Sequence, residues 1–318
     1  MRLNKYKICC LIGAVMFLLP TLVFSQAKVG TTGVNFLELG VSARAMGMAE
    51  AFTAGVTDAS AVYYNPAGLT YVYGSEVMLT HIDLPAGINY EFAALAMPSE
   101  RLGGVIGIGV YALGTGDILR TDYPYPQGID QSGNKQYFSA GDVAVGVSYG
   151  RFLTDKFSIG FTVKYLQENL ETSKASGWAA DVGTCYNSGY RDFKIGMMIS
   201  NFGPDMKHIQ EDFPLPINFK FGASINVLDN DNHLVTFAAE GGHPSDNLEK
   251  YNVGLEYRFQ DYISLRLGER FNYDSDGFTA GGGIWIPIGE ETDISVDYAY
   301  QDFGYLNQIH RFSIGFAF

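Results

Sequence analysis

The side chains able to bind metals or transfer protons are scattered along the chain. Five histidines are present: His81, His208, His233, His243 and His310. No two of them have the spacing of a zinc site, and none has a cysteine partner. Residues 229–232, Asp-Asn-Asp-Asn, resemble part of a calcium loop but lack the glycine and the distal glutamate of that motif. They predict a tight turn instead, and we expect no metal site.

Motifs for nucleophilic catalysis and phosphate binding are also missing from the sequence. Residues 281–283 are three glycines, but they lie within a predicted strand, so they are not a phosphate loop. We expect them to leave room for a segment that packs against that strand. No Gly-x-Ser-x-Gly elbow and no Cys-His arrangement occurs, and no paired carboxylates can be assigned to a cleft. A barrel lipase is formally possible, although nothing in the sequence places a serine beside a histidine. We therefore expect a protein that is not an enzyme and needs no cofactor.

The composition favours one large sheet and disfavours nucleic-acid binding. The 318 residues include 38 glycines, 21 tyrosines and 22 phenylalanines, and only 17% are charged, which is typical of strand-rich proteins. The formal net charge is −13, and it becomes −16 without the three basic residues of the leader described next. Such an acidic chain is a poor partner for nucleic acids.

Residues 1–25 have the pattern of a secretory signal peptide. Three basic residues precede an apolar run over residues 8–24, and a small-residue cleavage site follows. No other apolar run approaches the ~20 residues of a membrane-spanning helix. Cys9 and Cys10 would leave with the signal peptide, so Cys185 would be the one cysteine of the mature chain. No intramolecular disulfide is expected.

From residue 74 onward, apolar and polar residues alternate as they do in half-buried strands. At residues 251–259, Tyr, Val, Leu, Tyr and Phe alternate with Asn, Gly, Glu and Arg, and residues 157–165, 217–225 and 293–300 repeat the pattern. A soluble sandwich would show the same alternation. Here, however, the polar side carries Gly, Ser, Asn or charge in strand after strand, as in a barrel whose apolar face meets lipid and whose polar face lines the lumen.

The sequence predicts fourteen strands over residues 74–318 of an all-β transmembrane barrel. They are 74–83, 87–97, 102–112, 138–152, 156–168, 174–187, 191–203, 216–228, 232–242, 249–259, 263–271, 277–288, 292–302 and 307–318. An even number suits a closed antiparallel barrel. Short periplasmic turns should alternate with outer loops, of which 113–136 and 204–215 are the longest.

The stretch from Leu37 to Leu69 has too few apolar positions to form a domain of its own, and we predict that residues 26–73 plug the barrel. Residues 42–54 are mostly Ala, Met and Gly with Arg44 and Glu50, which predicts a short helix able to lie inside a cavity. The Asn-Pro pair at 65–66 should end any helix, because proline lacks the N–H group and restricts the residue before it.

Two stretches of this plug carry a family resemblance. Residues 40–52, Gly-Val-Ser-Ala-Arg-Ala-Met-Gly-Met-Ala-Glu-Ala-Phe, and residues 58–69, Asp-Ala-Ser-Ala-Val-Tyr-Tyr-Asn-Pro-Ala-Gly-Leu, resemble the start of the PorV/PorQ family of outer-membrane proteins. That family is similar to the FadL fatty-acid channels, which share the Asn-Pro-Ala element. The resemblance implies a fourteen-stranded barrel with an N-terminal plug and a part in type IX protein secretion. It assigns these residues to the plug and its contact with the lumen: Arg44, Glu50, Asn65, Pro66, Ala67 and Gly68.

Two further places suggest recognition by other molecules. The last strand alternates aromatic or aliphatic residues with small ones and ends on Phe318, which looks like the C-terminal signal that barrel-assembly machinery reads. In the longest loop, Tyr123 and Tyr125 stand next to prolines and offer low-entropy contact area for a partner. Equally, they could only stiffen a lid over the barrel mouth.

One predicted hairpin also gives a register for charges inside the lumen. If residues 260–262 form a three-residue turn, Glu256 lies opposite Arg266 and Arg258 lies opposite Ser264. Opposite charges directly across two strands are favourable by up to about 1 kcal/mol. We therefore assign Glu256, Arg258 and Arg266 as lumen charges.

Three functions fit a plugged barrel in the outer membrane of a Gram-negative cell. The first, which the resemblance implies, is a secretion component that contacts a translocon and exported client proteins. The second is a FadL-like transporter of long-chain fatty acids or other hydrophobic compounds. The third is a structural or nonspecific porin, which the plug disfavours. The predicted lumen is polar rather than apolar, which favours the secretion role. The expected partners are outer-membrane lipid and the barrel-assembly machinery, with the translocon and clients added for secretion.

Overall fold

A computed structural model gives the fold over residues 29–121, 126–130, 132–275, 277–289 and 292–318. These residues contain eighteen strands. In chain order they are β1 (Glu76–Leu84), β2 (Ile88–Ser99), β3 (Gly104–Gly114), β4 (Ile118–Leu119), β5 (Tyr137–Phe138), β6 (Ala140–Phe152), β7 (Phe157–Leu170), β8 (Ser173–Asn187), β9 (Lys194–Phe202), β10 (Met206–His208), β11 (Glu211–Phe213), β12 (Asn218–Asn230), β13 (His233–Pro244), β14 (Lys250–Phe259), β15 (Ile263–Phe271), β16 (Phe278–Pro287), β17 (Asp293–Asp302) and β18 (Gln308–Ala317).

Fourteen of the strands in the described ranges form a closed antiparallel barrel, so the predicted fold class is confirmed. Their order is β1-β18-β17-β16-β15-β14-β13-β12-β9-β8-β7-β6-β3-β2, and β2 returns to β1. The predicted strand ends differ from the observed ones by three residues at most. The sequence did not indicate the two small hairpins, β4–β5 and β10–β11, which lie within the two long connections.

The connections distinguish the two ends of the barrel. Both long connections, 115–139 and 203–217, leave from one end, which we call the loop end. The opposite end, which we call the turn end, has only short connections of two to six residues. There Ser75 and Phe318 exchange two backbone hydrogen bonds of 2.8 Å, which close the barrel beside β1 and β18. In outer-membrane barrels the short turns face the periplasm and the longer loops face outward.

Side chains alternate between the outside and the lumen as the sequence predicts. In β14, Leu255 points outward and is 40% exposed, whereas the next residue, Glu256, points inward and is only 3% exposed. The outward positions form a mainly apolar surface, and most lumen positions are small, polar or charged. No helix among the described residues has the length and hydropathy needed to span a membrane.

The hydrophobic core lies inside the barrel, where the N-terminal segment is buried. This segment contains α1 (Ala43–Gly47) and α2 (Ala61–Tyr64), together with the 3-10 turns Asn35–Glu38 and Pro66–Tyr71. Its aromatic residues meet those of the wall, as in the edge-to-face contact of Phe36 with Tyr90 at 6.2 Å. We therefore keep the predicted division into a plug, residues 26–73, and a barrel, residues 74–318, as a proposal.

The predicted helix over residues 42–54 is wrong in its length. It ends at Gly47, because Ala49 and Glu50 adopt left-handed backbone conformations with φ of 55° and 63°. The backbone turns there, and two of the amides that follow, those of Phe52 and Thr53, donate to Glu240 of the wall. The Asn-Pro pair does end a helix as predicted, since α2 stops directly before Asn65.

Glycines that face the lumen leave the space in which the plug packs against the wall. At several of them a Cβ atom would overlap plug atoms: Gly150, Gly160, Gly183, Gly196, Gly254 and Gly268. The three glycines at 281–283 fit the predicted role in part. A Cβ at Gly281 would lie 3.1 Å from the Cα of Gly47, whereas Gly283 leaves space for wall side chains. Contact through backbone atoms on both sides explains why the plug packs so closely.

Candidate functional site

An arginine of the plug is the centre of a buried ion network. Arg44, in α1, donates from Nε and Nη2 to the two carboxylate oxygens of Glu256 at 3.2 and 3.1 Å. Its Nη1 donates to Asp58 of the plug at 3.1 Å and to the hydroxyl of Thr57 at 3.1 Å. A two-pronged contact of this kind is among the strongest that an arginine makes. The network therefore joins two parts of the plug to strand β14.

The network continues along the barrel wall in the register that the sequence predicts. Glu256 is opposite Arg266 and Arg258 is opposite Ser264, which confirms both predicted pairs. The Nε of Arg266 donates to Glu256 at 2.7 Å, and its Nη1 donates to Asp297 of β17. Arg258 is more peripheral, with its Nη2 at 3.5 Å from Glu256.

Electrostatics keep Arg44 charged inside the barrel. Burial disfavours the charged guanidinium, but the carboxylates of Glu256 and Asp58 outweigh this effect and raise the pKa of Arg44 above its ordinary value. Removing one partner from a buried ion pair typically costs about 3–5 kcal/mol, because the remaining charge is left uncompensated. The network is therefore a strong anchor of the plug.

The Asn-Pro-Ala-Gly element fixes the plug to the opposite side of the wall. Asn65 is fully buried, and its Nδ2 donates to the carbonyls of Thr53 at 2.8 Å and Thr184 at 3.1 Å. Its Oδ1 accepts the N–H of Ala67 at 3.1 Å, which starts the 3-10 turn with Pro66 in its first position. Gly68 packs directly against Val56 of the plug. The motif thus binds the plug to itself and to β8.

The other predicted plug residue, Glu50, reaches the loop-end half of the lumen. Its Oε2 lies 3.3 Å from Nη2 of Arg270 in β15, and the hydroxyl of Tyr64 is 3.4 Å from its Oε1. The same hydroxyl accepts the backbone N–H of Val41 at 3.1 Å. Glu50 therefore contributes a second plug-to-wall ion pair, separate from that of Arg44.

Two wall carboxylates that the sequence reasoning did not single out also hold the plug. Glu240 in β13 accepts the amides of Phe52 and Thr53 at 3.1 and 2.9 Å, and Glu76 in β1 accepts the amide of Ala59 at 3.1 Å. Both residues occupy lumen positions of their strands. The sequence feature that could have identified them is an acidic residue at a lumen position of a predicted strand.

Two cavities lie on opposite sides of the plug. A cavity of about 380 Å³ lies toward the loop end. Its lining includes apolar residues of the plug and of the wall, Leu39, Met46, Phe303 and Ile309, and polar residues, Glu50, Arg270, Gln301 and Arg311. A smaller cavity of about 130 Å³ lies toward the turn end and borders Arg44, Lys194 and Arg258. The plug and the Arg44 network separate the two.

The structure describes only some of the remaining features that the sequence predicts. The signal peptide and the loop residues Tyr123 and Tyr125 lie outside the described residues. Phe318 lies at the turn end with its side chain on the outer face. The tight turn predicted at 229–232 is confirmed, because the Oδ1 of Asn230 accepts the amides of Asn232 and His233. In the part of the chain that the structure covers, no three His, Cys, Asp or Glu side chains are grouped to hold a metal.

The fold is similar to that of solved outer-membrane transporters. The Ralstonia pickettii toluene transporter TbuX is 15% identical, with a TM-score of 0.57 over 87% of this chain and 97% of that chain. A Pseudomonas aeruginosa FadL homologue and the Pseudomonas putida toluene transporter TodX are both 12% identical with TM-scores of 0.54, over 87% of this chain and 98% and 96% of theirs. No family model and no curated protein matches the sequence. The likeness establishes the fold of an outer-membrane barrel, and no match supports the PorV/PorQ family specifically.

Proposed function

We propose that the protein passes small hydrophobic compounds across the outer membrane. The observation that carries the proposal is the cavity of about 380 Å³ at the loop end, bounded by the plug and by both apolar and charged side chains of the wall. A volume of 300–1,000 Å³ with a mixed lining is typical of small-molecule sites. The structural likeness to toluene transporters supports this hypothesis over the secretion role that the polar lumen positions favoured.

In this proposal the plug is the barrier between the two sides of the membrane. A compound in the loop-end cavity meets Met46 and Glu50 of the plug, and the Arg44 network separates it from the turn-end cavity. Passage therefore requires the plug to shift relative to the wall. The closely packed glycines and the ion pairs set the free-energy cost of that shift.

A role in protein secretion is the second candidate. It is favoured by the strength of the plug anchors, because a barrel whose plug never moves is better suited to contact other proteins than to conduct solutes. A secretion translocon and exported clients would then be the partners, contacted through the outer loops. In this role Arg44 and Asn65, both buried against other parts of the protein, would maintain the plug rather than touch a partner.

Deletion of the gene distinguishes the two roles. We expect the deletion strain to take up less of a radiolabelled monoaromatic hydrocarbon and less long-chain fatty acid, while the abundance of secreted proteins stays unchanged. Complementation with the full-length gene should restore uptake. A depleted secretome with normal uptake of both compounds would contradict the transport proposal and support the secretion role.

A further inference from the structure

A serine, a histidine and a glutamate form one hydrogen-bonded chain at the loop end of the barrel. The Oγ of Ser173, the first residue of β8, lies 2.8 Å from Nδ1 of His208. The Nε2 of His208, the last residue of β10, lies 3.2 Å from Oε2 of Glu168 in β7. Ser173 and His208 are 35 residues apart in the sequence, so no local spacing indicates their contact. It arises because the β10–β11 hairpin packs against the inner face of β8.

The hydrogen-bonding capacity of the three groups fits one arrangement of protons. A neutral imidazole satisfies both contacts when Nε2–H donates to the Glu168 carboxylate and Nδ1 accepts the Ser173 hydroxyl. A hydroxyl bonded to a base, with the base held by a carboxylate, is the arrangement that activates a serine nucleophile. In the Ser-His-Asp triad, Nε2 faces the serine and Nδ1 faces the carboxylate, whereas here Nδ1 faces the serine and Nε2 faces the carboxylate. Either nitrogen of the imidazole can accept a proton.

The surroundings hold the histidine in place and leave the serine within reach of solvent. The His208 ring stacks on Phe213 of β11 at 5.7 Å with an interplanar angle of 22°. Ser173 is half-buried and faces the mouth of the lumen. Glu171 precedes the serine by two residues and Ile209 follows the histidine directly, and both have a left-handed φ of 55°. Each is the first residue of a two-residue hairpin turn, between β7 and β8 or between β10 and β11, and such turns place central residues at positive φ.

We propose that Ser173, His208 and Glu168 form an esterase site that accepts the acyl group of small carboxylic esters arriving from outside. The Ser173 oxygen attacks the ester carbonyl carbon as its proton passes to Nδ1 of His208. The ester C–O bond then breaks, and the leaving alkoxide takes that proton. Water, activated by the same histidine, hydrolyses the acyl-serine to a carboxylic acid and restores the serine. The two amides of the turn before Ser173, those of Glu171 and Thr172, make no hydrogen bond among the described residues and are the nearest donors along the chain for the oxyanion.

The charges near the site select for a neutral substrate. Asp142 of β6 is opposite Glu168 in the strand register and faces the same side, and its Oδ1 is buried without a hydrogen-bond partner in the described structure. Two neighbouring carboxylates disfavour an anionic ester. Phe213, next to the histidine, offers an apolar surface to a short acyl or alkyl chain. The site is separate from the loop-end cavity, so this proposal does not depend on transport.

Covalent labelling of the full-length folded barrel tests the proposal. We expect a fluorophosphonate probe to label Ser173, as mapped by peptide mass spectrometry, and p-nitrophenyl acetate to be hydrolysed. Ser173→Ala should abolish both signals, and His208→Gln should lower the labelling rate by 10²-fold or more. Glu168→Gln should lower it less, because the amide can still orient the ring. Ser176→Ala, an exposed serine on the same strand, is the matched control and should leave both signals unchanged.

Heat-modifiable mobility on gels shows whether each variant is folded. A signal that is lost in a folded variant therefore reflects loss of the reaction and not loss of the fold. The proposal is overturned if the folded wild-type protein is not labelled at Ser173. It is also overturned if folded His208→Gln is labelled as fast as the wild type.

Discussion

In the ion network around Arg44, one carboxylate connects two structural parts. Glu256 accepts hydrogen bonds from Arg44 of the plug and from Arg266 of the wall, so its two oxygens compensate two buried guanidinium groups. The alternation of the sequence indicated that Glu256 and Arg266 face each other. It could not indicate Arg44 as their partner, because no periodicity relates a plug residue to a strand 212 residues later.

Replacing Glu256 with glutamine should loosen the plug. Glu256→Gln keeps the shape of the side chain but leaves both guanidinium groups short of negative charge, so we expect the free energy of unfolding to fall by about 3–5 kcal/mol. Denaturant-induced unfolding in detergent, followed by intrinsic fluorescence, measures this. Asp261→Asn is the control, since Asp261 is 81% exposed at 3.6 Å from Arg258, where a pair contributes at most about 1 kcal/mol. Equal midpoints for the two variants would contradict the anchoring role.

Close packing between plug and wall gives a second prediction for single residues. A Cβ at Gly183 would overlap the Oδ1 of Asn65, whereas a Cβ at Gly282, in a strand of the same barrel, would meet its nearest atom at 3.5 Å. We expect Gly183→Ala to displace the Asn-Pro-Ala turn and to expose the plug to limited proteolysis from the turn end. Gly282→Ala should be as resistant as the wild type. If both variants resist proteolysis, the plug has more space beside Gly183 than the structure shows.

At the scale of elements, the sequence predicts the wall better than the plug. Each strand has its own alternation, because one face meets lipid and the other the lumen, and this local signal is enough to locate strand ends. The plug is buried on all sides, so its residues have no such period. Its helix ends at Gly47 because Ala49 and Glu50 turn left-handed and the following amides bind Glu240. That contact depends on a strand nearly 190 residues away and is not visible in the local sequence.

The closing strand gives a prediction about assembly. The Phe318 side chain is 53% exposed on the outer face, and only its backbone bonds to Ser75. Phe318→Ala should therefore reduce the unfolding free energy by less than the ~1.5–3 kcal/mol of a fully buried side chain, yet strongly lower the amount of barrel in the outer membrane. Phe316→Ala, 41% exposed on the same strand, is the control. If both variants assemble to the same level, Phe318 is not an assembly signal.

At the scale of the whole molecule, the plug meets two different halves of the barrel. Toward β1–β3 and β6–β8 it packs in an apolar core with wall residues such as Tyr90 and Tyr111. Toward β13–β17 it is held by ion pairs through Arg44 and Glu50. Apolar contacts permit sliding more readily than ion pairs in a fixed geometry. If the plug shifts during transport, it should therefore pivot on the apolar side and separate from the charged side.

A disulfide between the plug and β12, the strand next to the charged side, tests whether that movement is needed. A Cβ at Gly55 of the plug would lie 3.7 Å from the Cβ of Ser224 in β12, within the 3.5–4.5 Å range of disulfides. In a Cys185→Ala background, which removes the buried native thiol, we expect oxidised Gly55→Cys/Ser224→Cys protein to lose hydrocarbon uptake and reduction to restore it. Gly55→Cys alone should conduct in both states. If the cross-linked protein conducts as well as the reduced one, compounds pass without plug movement, and the path runs between the plug and the wall.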